Sequence, residues 1–237
     1  MANFSLEYAI EYFPEVLKGV PATLMVAVIS MLMGTLLGLV IALCRMYKVP
    51  ILDKLAALYV SFIRGTPLLV QIYVVFYGTP LLIETLNREW GWHLPIHDMS
   101  PLAFAFIAFT INSSAYQSEV IRGALISTDS GQMEAALSVG MTTTQGLLRI
   151  IAPQAFVVAL PNLGNIFINL IKGTSLAFAI KVLEIMAYAK IVAGDSYRYL
   201  EMYFDASIIY WVICWTCERL FAWLENKYSR HERRLTV

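Results

Sequence analysis

Four polar residues recur at helical spacing within an apolar stretch, and they are the clearest candidates for recognising a solute. Asn162, Asn165 and Asn169 are three and four residues apart, and Lys172 follows one turn later. Residues at this spacing share one face of a helix. Neutral amides with one cation could bind the carboxylate and the polar side chain of a zwitterion. The alternative, hydrogen bonding between neighbouring helices, stays open, and with it whether these amides contact solute.

The histidines and cysteines, which could bind metal or carry out redox chemistry, form weaker patterns. His93 and His97 have a spacing that suits a metal ion on a helix, but Pro95 interrupts it. Cys214 and Cys217 have the spacing of a redox motif, yet no βαβ pattern surrounds them, so we expect packing roles. We therefore expect neither a metal site nor a catalytic residue in this chain.

A polar stretch at residues 119–149 predicts two short helices outside the apolar runs. Asp129 with Gln132, and Thr142 with Gln145, have the spacing of a helix N-cap and its reciprocal partner. Gly140 lies between the two helices, where a left-handed backbone conformation favours glycine.

The first of these short helices has a distinctive surface. It carries one acid, Glu134, followed by two small residues, Ala135 and Ala136. Small side chains allow another protein to approach closely, so a helix pair of this kind can fit a groove in a partner.

The composition indicates that the elements positioning these residues lie in a membrane. Of 237 residues, 59% are hydrophobic and 14% charged, whereas soluble domains are about 25% charged. The expected fold is all-α and integral to the membrane, a single transmembrane domain over residues 1–237 with about five crossings. Those crossings are predicted at residues 20–44, 68–86, 101–118, 154–171 and 202–223. The charges balance, 17 basic against 17 acidic, so nothing indicates a nucleic-acid partner.

Several segments are expected to support the crossings. Residues 1–18 read as an amphipathic helix at the membrane surface, and residues 175–192 as a partly buried or re-entrant helix whose placement stays open. Within the latter, Lys181 and Glu184 are expected to pair with each other. Gly34 and Gly38 form a GxxxG pair that packs helices closely, either within this chain or against a second copy.

Basic residues set the expected orientation, because cytoplasmic flanks carry excess Lys and Arg. An outside N-terminus, five crossings and a cytoplasmic C-terminus place eleven basic residues inside and four outside. The inner set is Arg45, Lys48, Lys54, Arg64, Arg122, Arg149, Arg219, Lys227, Arg230, Arg233 and Arg234.

One segment resembles a known family motif. Glu134-Ala135-Ala136, Gly140, Ile150 and Pro153 are similar to the EAA loop of bacterial ABC importer permeases, with Ala152 where that motif has leucine. Residues 64–68, 115–123, 131–136 and 172–176 resemble the branch that transports polar amino acids of the histidine, glutamine and cystine type. In this order they cover nearly the whole chain.

The resemblance implies a type I ABC importer permease of the MetI-like fold in the bacterial plasma membrane. It implies ABC ATPase subunits, an extracytoplasmic solute-binding protein and a second permease copy or paralogue as partners. Glu134, Ala135, Ala136, Gly140 and Pro153 would couple to the ATPase, which would hold ATP and magnesium. This chain lacks a G-x-x-x-x-G-K-[ST] phosphate loop and is expected to need no cofactor and to be no enzyme.

Alternatives remain at this stage. Segments over residues 202–233 are similar to cystine-type systems, while glutamine or another polar amino acid fits nearly as well, and homodimer and heterodimer stay equally open. A secondary transporter driven by an ion gradient would explain the crossings but not the paired capping signals. A membrane enzyme would need convergent histidine, acid or cysteine residues, which the sequence does not offer.

Overall fold

The computed structural model describes residues 4–93 and 99–233, and every regular element in those ranges is helical. His97 and Pro95 lie outside the described residues. The α-helices are α1 (Leu6–Leu17), α2 (Val20–Met46), α3 (Leu52–Gly65), α4 (Leu68–Trp90), α5 (Pro101–Ser127), α6 (Ser130–Ser138), α7 (Thr143–Gly146), α8 (Ala152–Gly173), α9 (Ile185–Ser196) and α10 (Tyr199–Arg233). The expected all-α membrane fold is confirmed.

Each predicted crossing lies on a helix of 22 residues or more, namely α2, α4, α5, α8 or α10. By length and apolarity alone, three helical stretches in the described part could cross a membrane: Val20–Met46, Leu68–Trp90 and Thr143–Ile180. Helices α5 and α10 have the length but carry more polar residues. Those of α5, including Ser113, Ser114 and Gln117, are buried inside the protein, so this helix faces mainly other helices rather than lipid.

The packing of α2 against α5 organises the bundle, and the GxxxG pair makes it possible. A Cβ atom on Gly34 would lie 2.6 Å from Gln117 Nε2, and one on Gly38 would lie 3.0 Å from the Ser114 carbonyl oxygen. Only a residue without a side chain allows this approach. Of the two open interpretations, packing within the chain is therefore correct.

The helix of the fourth predicted crossing, 154–171, extends beyond the predicted bounds at both ends. Helix α7 continues through a π-helical segment, Leu147–Ile151, into α8 and then a 3₁₀ segment, Thr174–Ile180. Pro153 lacks an amide proton and ordinarily ends a helix. The wider π turn just before it, in which Ala152 N–H bonds to the Leu147 carbonyl, carries the helix past this break.

The segment after α8 is partly buried and too short to cross the membrane. At 12 residues, α9 is about 18 Å long, against a hydrocarbon core of about 30 Å. The predicted pair between Lys181 and Glu184 is wrong. Lys181 is exposed, whereas the fully buried Glu184 carboxylate accepts from Met186 N, Ala187 N and Tyr210 Oη at 2.7–2.9 Å.

The amphipathic N-terminal segment forms α1, capped by Ser5, whose hydroxyl accepts from Tyr8 N. It packs against α9 and α10 through buried Ala9 and Val16. Its Glu7 and Glu11 are exposed, as expected for a helix with one apolar and one hydrated face.

Candidate functional site

Two hollows open between the helices beside α5. The first, here the amide hollow, has a volume of about 310 Å³ and lies between α4, α5 and α8. Its polar lining is neutral and consists of Thr66, Asn112, Ser113, Tyr116 and Asn169. The second, here the arginine hollow, measures about 530 Å³ and lies between α2, α3 and α5. Its polar lining is Arg45, Ser61, Arg64, Tyr116 and Glu119.

The break between α3 and α4 shapes the amide hollow. Pro67 lacks an amide proton and disfavours helix at the residue before it, so the sequence predicts a helix break here. Accordingly, α3 ends at Gly65 and α4 begins at Leu68, with no side chain capping its N-terminus. The buried Gln71 bridges the break, because its Nε2 donates to Ile63 O and Thr66 Oγ1, both at 2.8 Å. Its Oε1 accepts from Asn112 Nδ2 at 2.9 Å. Gln71 therefore fixes Asn112 in the wall of the hollow.

A polar stripe on α5 connects the two hollows. Asn112 lines the amide hollow, Glu119 lines the arginine hollow, and Tyr116 lines both. These residues are four and three apart, so they share one face of the helix and span about 10 Å along its axis. Tyr116 is the residue that the linings of the two hollows share.

The arginine hollow is lined by more positive than negative side chains. Glu119 pairs with Arg45 on α2 and with Arg122 at 2.7 Å on its own helix. Arg64 forms no ion pair within the described residues, and its guanidinium lies over the Tyr116 ring, 5.5 Å from the centroid. The single carboxylate of the lining is thus already shared by two other arginines.

The asparagine stripe of α8 is solvent-exposed on this chain. Asn162, Asn165, Asn169 and Lys172 all face outward, and none of their side chains has a hydrogen bond or ion pair within the described part of the protein. Hydrogen bonding to neighbouring helices of the same chain therefore does not explain the stripe. Of the four, only Asn169 lines the amide hollow.

The predicted capping signals of the loop between α5 and α8 are present. Thr142 forms a full capping box, with Gln145 N donating to Thr142 Oγ1 and Thr142 N donating to Gln145 Oε1. Asp129 caps α6 by accepting from Gly131 N at 2.9 Å, and no reciprocal bond from Gln132 accompanies it in the described part. Gly140 adopts the expected left-handed conformation, with φ of 82°.

Most of the EAA-like residues are exposed, but one of them is buried. Glu134, Ala135 and Gly140 are exposed on the loop, and Pro153 is exposed at the start of α8. Ala136 is only 2% exposed and packs inward. A Cβ atom on Gly146 would lie 3.3 Å from Ala136 Cβ, so Ala136 packs α6 against α7.

Sequence analysis missed two features of this loop. Gly146 lets α6 pack closely against α7, because a Cβ atom there would lie 2.8 Å from Met133 Sδ and 3.3 Å from Ala136 Cβ. Leu137, Val139 and Leu148 expose 47–78% of their surface and form what we call the apolar knuckle. The sequence does show hydrophobic residues in this polar loop. Helix periodicity alone, however, does not show which of them remain exposed in the folded chain.

The chain matches the family described as "Binding-protein-dependent transport system inner membrane component" over residues 34–230. This protein belongs to that family. It is also 40% identical over 228 residues to the "Probable amino-acid ABC transporter permease protein PatM" of Vibrio harveyi, covering 96% of this chain and 98% of the relative. It is 35% identical to the L-cystine transport system permease protein TcyL of Bacillus subtilis, covering 99% and 95%.

Solved structures agree with this assignment. One chain of an amino acid ABC transporter crystallised with histidines superposes with a TM-score of 0.80 at 32% identity, covering 95% of this permease and all of that chain. The MetNI methionine ABC transporter in an inward-facing conformation gives a TM-score of 0.72 at 15% identity, covering 92% and 98%, which establishes the shared fold. The protein is therefore the permease subunit of an amino-acid ABC importer, with the type I importer fold that the EAA-like motif implied.

Proposed function

We propose that this permease passes a polar amino acid, of the cystine or glutamine type, through the amide hollow. An extracytoplasmic binding protein delivers the solute, and a separate ATPase supplies the energy. The observation that carries the proposal is a hollow lined by neutral polar groups within the membrane-spanning helices. Polar groups at that depth face a partner or a solute path.

The chemistry of the amide hollow suits a zwitterion with a polar side chain. Asn112 and Asn169 offer both donors and acceptors, and the uncapped N-terminus of α4 adds a partial positive charge to the same wall. No acidic residue lines the hollow, so nothing in it selects a cationic side chain. Its volume of about 310 Å³ falls at the lower end of ordinary small-molecule sites, about 300–1,000 Å³.

The loop between α5 and α8 is proposed to dock on the ATPase, which holds ATP and magnesium. Exposed Glu134 and Ala135 lie beside the apolar knuckle. An exposed apolar patch rimmed by polar residues is typical of a protein interface. Gly140 fixes the turn between α6 and α7, and the unbroken helix from Thr143 to Ile180 can carry a displacement of the loop to Asn169.

A second permease copy or paralogue is proposed to face the asparagine stripe. Asn162, Asn165 and Lys172 find no hydrogen-bond partner within the described residues, and leaving such groups in lipid is costly. A second subunit across a shared solute path would cover them with polar groups or water. The charge distribution supports an outside N-terminus and a cytoplasmic loop, since Arg122 and Arg149 flank it.

Reconstitution tests this function. The permease, the ATPase that copurifies with it and the binding protein are placed in proteoliposomes, and uptake of radiolabelled L-cystine and L-glutamine is measured. We expect uptake only when ATP and all three components are present, with a hydrolysis-deficient ATPase as control. Accumulation by the permease alone, driven by a proton or sodium gradient, would overturn the proposal.

A further inference from the structure

We propose that Arg64 receives the carboxylate of the transported amino acid, and that Tyr116 separates the two hollows until it does. This inference rests on the proposed function for the identity of the solute. It assigns a binding role to Arg64 and a barrier role to Tyr116.

The barrier follows from the position of one ring. Of the residues lining the two hollows, Tyr116 is common to both. The chain also passes from one hollow to the other between Gly65 and Thr66, directly after Arg64. A solute that leaves the amide hollow along the polar stripe of α5 therefore reaches the Tyr116 ring together with the Arg64 guanidinium that lies over it.

The ring is held by a single polar contact. Its hydroxyl has no hydrogen bond within the described residues, the residue is 38% exposed, and the guanidinium of Arg64 covers one face of the ring. A side chain without a hydrogen-bonded anchor can change rotamer when its covering group leaves. The cation–π contact thus determines where the ring lies.

Competition for Arg64 explains how a solute could move the ring. A carboxylate binds a guanidinium through two charge-assisted hydrogen bonds, and this contact is stronger than an exposed cation–π contact. Glu119 does not fill that role, because Arg45 and Arg122 already engage its two oxygens. An amino acid supplies the carboxylate that Arg64 lacks, and the exchange releases Tyr116.

Excess positive charge in the arginine hollow favours the same ligand. Its lining contains Arg45 and Arg64 against one carboxylate, Glu119, which is also shared with Arg122. A region of net positive charge attracts the carboxylate end of a zwitterion first. The amino acid would then enter this hollow with its carboxylate leading.

Thiol labelling tests the barrier in the complete transporter. Cys44, Cys214 and Cys217 are replaced, Asn112→Cys reports on the amide hollow, and a membrane-impermeant maleimide is added at the face that exposes the arginine hollow. Adding Tyr116→Ala should raise the labelling rate about tenfold, whereas Tyr47→Ala, an exposed tyrosine outside both hollows, should not. Equal labelling rates with and without the Tyr116 ring would overturn the barrier.

Coupled transport tests the carboxylate role. Arg64→Met should lower the amount of L-cystine or L-glutamine moved per ATP hydrolysed about tenfold, the scale of one lost charge-assisted contact. Arg64→Lys should recover part of that ratio, and Lys54→Met serves as the matched loss of a positive charge. An unchanged ratio for Arg64→Met would overturn the role. If the unmutated transporter moved no amino acid, the proposed function would fail, while the labelling comparison would still report on the barrier.

Discussion

Besides the stripe that lines the hollows, α5 carries a buried polar stripe; this buried α5 stripe and the asparagine stripe of α8 both lie within membrane-spanning helices, yet they have opposite environments. On α5, Ser113, Ser114 and Gln117 are buried and hydrogen-bonded, and Gln117 joins α5 to Thr35 and Met31 of α2. On α8, Asn165 and its neighbours are exposed and find no partner in the described part of the chain. Polar residues in a membrane-spanning helix can therefore either join helices of the same chain or face a solute or another subunit. Only their contacts in the structure distinguish these two roles.

The largest expected effect breaks the contact that shields the buried α5 stripe. In Gly34→Val the new Cβ atom would lie 2.6 Å from Gln117 Nε2 and 3.0 Å from Ser113 Oγ, so α2 and α5 must separate. We expect the folded protein to lose about 3 kcal/mol of stability, measured by thermal unfolding in detergent. Gly123→Val on α5, where a Cβ atom meets nothing within 4 Å, is the matched control. Equal unfolding temperatures for the two variants would contradict the packing.

A smaller loss is expected when the buried α5 stripe itself is changed. Gln117→Leu keeps the volume but leaves the hydroxyl of Thr35 without its partner on α5. Removing one partner from a buried polar network costs about 2 kcal/mol, which the same unfolding assay would detect. Asn165→Leu in that assay should change stability by less than about 0.5 kcal/mol. Similar losses for both variants would remove the distinction between the stripes.

Changing the asparagine stripe of α8 should have the smallest effect on stability but a clear effect on transport. Asn169→Leu removes a polar group from the wall of the amide hollow and should lower ATP-driven uptake about tenfold with assembly intact. Asn165→Leu, on the same face but outside the hollow, should weaken uptake by less. Uptake kinetics, with copurification of the ATPase as the assembly control, check both variants. Unchanged uptake kinetics for Asn169→Leu would show that α8 does not line the solute path.

Local signals in the sequence were reliable where chemistry within a few residues decides the structure. The box formed by Thr142 and Gln145, the left-handed Gly140 and the break at Pro67 all occur as expected. Each depends on a backbone hydrogen bond or a dihedral angle close in sequence, so spacing was enough to identify it.

Features that depend on distant packing were not predictable in this way. The π turn before Pro153, through which the helix runs from α7 into α8, was not indicated by any spacing in the sequence. Glu184 was assigned to Lys181, three residues away, whereas a hydroxyl 26 residues away, on Tyr210, completes its hydrogen bonds. Of the four stripe residues, only Asn169 lines the hollow, because the break between α3 and α4 positions that hollow. The roles of Asn162, Asn165, Lys172 and the EAA-like residues stay predictions.

Gly140 offers the most direct test of the claim that an ATPase moves these helices through the loop between α5 and α8. Gly140→Val forces a β-branched residue into φ of 82°, at a strain of about 1–2 kcal/mol, and so tilts α6 relative to α7. Gly194→Val, at an exposed glycine of α9 with open space around it, is the control. In proteoliposomes with ATPase, binding protein and ATP, the account predicts that Gly140→Val abolishes uptake while the protein remains in the membrane. Uptake at the unmutated rate would contradict it.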